Sequence, residues 1–218
     1  KIISIFLIVN SSVLSNDLFN NLIFGEFEQY SKTNIFFENK KNNEIKHNFV
    51  EKYILNNDEV LLLYESTKSD FYCHICIPKM SWFHLKKEKN KWFIKNKIMN
   101  KETSFGSWGS FVKPELIKMK DDFFILKYDF TYSNQGLSES SILLESYSKG
   151  KFKKIFQDDL GVNDAGAYEI PENDWQGKIT FIKNKNKISD LSIEKVGLKN
   201  SKNFYEKKIY KFSRGKYL

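Results

Sequence analysis

Residues 140–157, SSILLESYSKGKFKKIFQ, decide the fold. Ser140 to Tyr147 and Lys151 to Gln157 read as two strands, and Ser148-Lys149-Gly150-Lys151 between them reads as a hairpin tip where glycine takes positive φ. An aromatic flanks the tip on each side, Tyr147 before it and Phe152 after it.

The same punctuation recurs outward, at Glu88-Lys89-Asn90-Lys91, at Lys183-Asn184-Lys185-Asn186-Lys187 and at Ser213-Arg214-Gly215-Lys216. From Val60 onward the apolar period is two, which places further strands at Val60–Glu65, Phe71–Ile77, Ser81–Lys86, Lys91–Lys97 and Phe123–Tyr132. Three more follow at Lys178–Lys183, Ile188–Val196 and Phe204–Phe212. The spacing is too irregular for a true repeat family. Before this region, Leu18, Phe19, Leu22, Ile23, Phe27 and Tyr30 fall at helical spacing, with Asn16 or Asp17 as cap, so one amphipathic helix is expected between Asn16 and Lys32. The segment Asn39 to Asn48 holds little apolar content and reads as an exposed loop. The fold class expected is mainly β: an antiparallel meander, sandwich or partial propeller-like sheet with one N-terminal helix.

Composition agrees. Aromatics make up 16% of the chain, with 20 Phe and 11 Tyr, side chains that suit half-buried strands. Lys1 followed by the apolar run Ile2 to Val9 and a small-residue exit at Val13 and Ser15 has the order of a secretory signal peptide. That run is less than half of the roughly 20 apolar residues a membrane-spanning helix needs. The division expected is a signal peptide over 1–15 and a single β-rich domain over 16–218, in a periplasmic or secreted protein with no membrane span.

The net charge is +8 and the pI about 9.2. All 35 basic residues are lysine save Arg214, and acidic residues lie between them. Base-edge readout and bidentate phosphate contacts favour arginine, so nucleic acid is not the expected partner.

Cys73-His74-Ile75-Cys76 holds the only two cysteines. Export favours a disulfide. A flat strand would set residues i and i+3 about 10 Å apart, beyond the roughly 4.4–6.8 Å a disulfide tolerates, so a bend is required, and Pro78 makes one plausible. Zinc held by both thiolates and two of His47, His74 and His84 competes with this reading, as do a redox dithiol and two unpaired thiols. Ile77 after the second cysteine excludes haem attachment.

Two further stretches are candidate binding loops. Phe105-Gly106-Ser107-Trp108-Gly109-Ser110-Phe111 presents a Trp between glycines, either as a platform for a sugar or partner or as a turn whose Trp caps the core. Residues 158–169 with Asp174-Trp175 carry Asp159, Asp164 and Trp175; hard oxygens here suit calcium, but the calcium-loop order is missing and a solvated loop is expected. No G-x-S-x-G or H-E-x-x-H occurs, and no nucleophile stands at a recognisable spacing from the three histidines. The sequence therefore predicts no enzyme and no cofactor.

Cys73 to Pro78, Lys91-Trp92, Gly106-Ser107-Trp108-Gly109, Gln135-Gly136 and Asp164-x-Gly166, in this order, resemble a group of uncharacterised bacterial exported proteins over roughly Val60 to Trp175. The resemblance implies a structural role for the Cys-His-x-Cys element and no established activity. The expectation is an exported, non-enzymatic protein that binds another protein or a cell-envelope component. An immunity or inhibitor protein against a toxin or envelope hydrolase is the first alternative, and a C-x-x-C redox or metal-dependent enzyme the second.

Overall fold

The structure, a computed structural model, describes residues 28–29, 35–40, 43–68, 77–89, 91–103, 105–107, 110–184 and 188–218. The expected signal peptide lies outside them, as do Cys73, His74, Cys76, Trp108 and Gly109. The expected helix also lies outside them, except for Glu28–Gln29, which form a short strand.

The chain is mainly β, in antiparallel sheets. It divides into two compact units, Lys1–Phe111 and Val112–Leu218. No Pro/Gly/Ser-rich linker marks the boundary at Phe111-Val112-Lys113-Pro114.

The first unit is a six-stranded meander in sequence order: β1 (Glu28–Gln29), β2 (Ile35–Lys40), β3 (Asn43–Asn56), β4 (Glu59–Lys68), β5 (Lys79–Glu88) and β6 (Lys91–Lys101). A two-stranded ribbon of β7 (Gly106–Ser107) and β8 (Ser110–Phe111) follows. Among the described residues, short polar turns join β3 to β4 and β5 to β6. At Asn56-Asn57-Asp58-Glu59, for example, the Asp58 N–H donates to Asn56 Oδ1 at 2.9 Å. In β4, Leu62, Leu63 and Tyr64 are fully buried, so both faces of this strand are covered. One face carries Val60, Leu62 and Tyr64 against Phe83 and Leu85 of β5. Edge-to-face contacts at 5.5 Å join Phe49 to Tyr64 and Tyr64 to Phe83 across three strands.

The expected exposed loop at Asn39–Asn48 is instead the end of β2 and the start of β3. Ile45, His47 and Phe49 alternate with polar residues, and β4 supplies the neighbour that gives this polar segment a buried side. Average polarity hid a period-two pattern.

The second unit is another meander, in order β9 (Glu115–Lys120), β10 (Phe123–Asn134), β11 (Leu137–Ser148), β12 (Lys151–Asn163), β13 (Asp174–Ile182), β14 (Asp190–Lys199) and β15 (Lys202–Tyr210). A terminal hairpin of β16 (Phe212–Ser213) and β17 (Lys216–Tyr217) closes the chain. The expected tips at Lys149-Gly150 and Arg214-Gly215 both have positive φ, which the twist of a two-residue hairpin loop requires. Ile125, Ile142, Leu144 and Ile155 pack with Leu191, Ile193 and Tyr217 into one core. β12 and β13 pair only through Gly161–Asn163 and Asp174–Gln176. Beyond that the terminal hairpin reaches β12 and the residue before β14: a Cβ on Gly215 would lie 2.9 Å from Lys153 Nζ of β12, and the Tyr217 hydroxyl donates to Ser189 O at 3.0 Å. Asp158 to Asn163, expected as part of a loop, belongs to β12; a bulge at Ser140/Ser141 keeps it in the ladder.

Candidate functional site

Where β12 and β13 meet, the second unit holds a groove of about 490 Å³ lined by Ser138, Ser140, Asn163, Asp174, Gln176 and Trp175, with Leu160, Val162, Val196 and two glycines completing it. Strand register brings these residues together: Ser138 is opposite Asn163, Ser140 opposite Gly161, Asn163 opposite Asp174, and Gly161 opposite Gln176. Asn163 Nδ2 donates to Asp174 Oδ1 at 2.9 Å, which fixes both side chains.

Trp175 is 8% exposed. Lys195 lies 5.3 Å and Lys199 5.8 Å from its ring, and Phe204 meets it edge-on at 5.9 Å. Lys195 also pairs with Asp158 at 3.0 Å, so one of the two ammonium groups beside the indole is itself held. Gly197 lies opposite Trp175 at φ +143°, and a Cβ there would come within 2.5 Å of Trp175 Cα; only glycine lets the strands approach this closely.

Asp164 shapes the 164–173 connection rather than facing solvent. It is 3% exposed. Its carboxylate accepts the Asn173 N–H at 3.0 Å and Asn173 Nδ2 at 3.0 Å, while its carbonyl accepts the N–H groups of Ala167 and Tyr168. Burial pushes the carboxyl pKa upward, but the hydrogen bonds from the Asn173 side chain and from the backbone outweigh it, and the net effect holds Asp164 below the ordinary aspartate value. Asn173 Oδ1 in turn accepts the Asn200 N–H, and Glu172 O accepts the Ser201 N–H, which ties the loop to the β14–β15 turn.

No family model, no curated protein and no solved structure matches this chain.

Of the candidate loop residues, strand register thus brings Trp175 and Asp164 to one end of the second unit. Asp159 is exposed further along β12 and accepts the Ser141 hydroxyl at 2.9 Å. The aspartates of 158–174 diverge to separate partners: Asp158 to Lys195, Asp159 to Ser141, Asp164 to Asn173 and Asp174 to Asn163. Among the described residues, no three His, Cys, Asp or Glu side chains cluster to hold a metal ion. Gly106 lies in β7 opposite Phe111, with Trp108 and Gly109 outside the described residues. The cysteine pair, Cys73 and Cys76, likewise lies outside them.

His47, expected in a loop and weighed with His84 as a zinc ligand, is a fully buried residue of β3. It pairs with Ser66 of β4, whereas His84 pairs with Leu61. Five residues of strand place the two histidines about 17 Å apart along the sheet, on opposite faces. What the sequence did not reveal is the set around His47. Its Nδ1 lies 2.9 Å from Ser66 Oγ, Ser66 Oγ lies 3.0 Å from Ser81 Oγ, and the Asn100 N–H donates to Ser81 Oγ at 3.0 Å. Nineteen residues separate His47 from Ser66; only strand register could have signalled the contact.

Proposed function

We propose that this is an exported binding protein whose second unit takes a polyhydroxylated component of the cell envelope into the groove at the β12–β13 junction. The observation that carries this reading is the lining. Two hydroxyls, two amides and one carboxylate line the groove together, while the Trp175 indole, one residue from both Asp174 and Gln176, lies on the other face of β13. Hydroxyls and amides both donate and accept, which matches a ligand rich in hydroxyl groups, and a groove of about 490 Å³ falls in the range that small ligands occupy. The lining offers no nucleophile beside a base, so the groove is read as binding its ligand without transforming it. The strand-borne side chains are fixed by backbone ladders and by the Gly197 approach, so little order has to be gained on binding.

Titration calorimetry with soluble glycan fragments of the envelope tests this. Binding is expected, weakened at least tenfold by Gln176→Ala or Asn163→Ala, with no change in unfolding temperature in Gln176→Ala. Equal affinity in both variants would contradict it.

A second reading, an immunity or inhibitor protein, is favoured by the 164–173 loop, where Tyr168 is 57% and Ile170 79% exposed. Apolar side chains presented on a pinned loop suit a protein partner. A toxin gene beside this one, and loss of protection in Ile170→Asp, would support it over the glycan reading.

A further inference from the structure

We propose that Ser66 is an acylatable nucleophile with His47 as its general base, serving a short-chain ester at a cavity of the first unit that is separate from the groove described above. The hydrogen-bond polarity follows from one fixed donor. A backbone N–H can only donate, so Asn100 gives its proton to Ser81 Oγ. Ser81 is fully buried, and the acceptor within reach of its own proton is Ser66 Oγ. Ser66 must then send its proton to His47 Nδ1. The reverse polarity would strand the Ser81 proton in the core without an acceptor. The chain Asn100, Ser81, Ser66, His47 thus leaves His47 neutral with its Nδ1 lone pair directed at the Ser66 hydroxyl, the relationship an activated serine needs.

A sheet face built only to pack would carry aliphatic side chains at these rungs, as it does at Leu62 and Leu85 beside them; buried hydroxyls and imidazoles cost desolvation. Ser66 is 4% exposed and lines a cavity of about 250 Å³ with Ile45, Thr67, Ile77, Pro78, Lys79 and Asn100. Ile45, Ile77 and Pro78 offer an apolar wall for a short acyl chain, and Lys79 and Asn100 are the polar groups available to a developing oxyanion.

In the reaction, Ser66 Oγ bonds to the ester carbonyl carbon as its proton passes to His47 Nδ1. The bond from that carbon to the leaving alcohol oxygen then breaks, and the alcohol departs with the proton. Water repeats the sequence on the acyl-serine, releasing the acid and restoring Ser66. Ser81 is a positioning residue.

The test is labelling of the intact full-length protein with a small alkyl fluorophosphonate, which bonds phosphorus to the serine oxygen as fluoride leaves, followed by peptide mapping. The adduct is expected on Ser66, forming roughly 100-fold faster in folded than in urea-unfolded protein, with a rate that rises with pH through an imidazole titration. His47→Ala should abolish labelling. If that variant does not fold, the folded-to-unfolded ratio and the pH profile in the unaltered chain decide. No adduct on Ser66 of folded protein in excess reagent, or a rate without an imidazole step, overturns the proposal.

Discussion

Gly136 and Gly166 meet backbone to backbone: a Cβ on Gly166 would lie 2.8 Å from Gly136 Cα, and one on Gly136 would lie 2.5 Å from Ala167 N. The β10–β11 turn, with Gln135 and Gly136 both at positive φ, therefore rests directly on the loop that Asp164 pins. Two short elements thirty residues apart in the chain form one surface beside the groove.

Replacing Gly136 by Ala should cost more than about 1–2 kcal/mol, the left-handed backbone penalty alone, because the added methyl also meets Gly166. Gly166→Ala should destabilise through the same contact. The double variant should lose less than the sum of the two, since the first substitution already separates the segments. Urea unfolding of the four proteins checks this; strict additivity would mean the contact is not made.

Asp164 should govern the order of its loop. Because its folded pKa is depressed, the stability it contributes is present above the ordinary aspartate value and is lost as pH falls through the folded one. Hydrogen exchange should show the amides of Ala167, Tyr168 and Asn173 losing protection in Asp164→Ala at neutral pH, while the β10–β11 amides keep theirs. Retained loop protection would contradict the assignment.

His84 predicts a second, separate pH window. It is buried, and its Nε2 lies 3.4 Å from Glu59 Oε2, while Glu59 Oε1 takes Lys95 Nζ at 2.7 Å. Burial holds the imidazole below its ordinary value; Glu59 pulls upward, Lys95 reinforces burial, and the net effect is downward. The unfolded chain thus binds a proton that the folded chain resists. Stability is complete above the ordinary histidine value of about 6.5 and falls as pH drops below it. Calorimetric scans from pH 7 to pH 5 should show a falling unfolding temperature, with a shallower slope in His84→Gln. An unchanged slope would place the titration elsewhere.

Most strands expected from Val60 onward were legible because apolar residues recur with a period of two and several turns between them carry residues suited to positive φ; of the expected strand Phe71–Ile77, residues 71–76 lie outside the described residues. Phe123–Asn134 and Leu137–Ser148 extend the expected runs by only a few residues. The polar segment at 39–48 was misread because its apolar residues are few and depend on β4 for their burial. In the groove, Trp175 was picked out as a single residue, but Ser138, Ser140 and Gln176 were not, since nothing in a serine or glutamine announces its cross-strand neighbour. The His47, Ser66 and Ser81 set was illegible for the same reason: the register that joins them is settled by the hydrophobic face of the whole sheet.

The binding groove is tested most directly by mapping amide chemical-shift changes while soluble envelope glycan fragments are added to the labelled full-length protein. Shifts are expected at Ser138, Ser140, Gly161, Asn163 and Gln176, saturating together and absent in Gln176→Ala. Saturable binding that leaves these amides unmoved, or no binding by any fragment, would contradict the account.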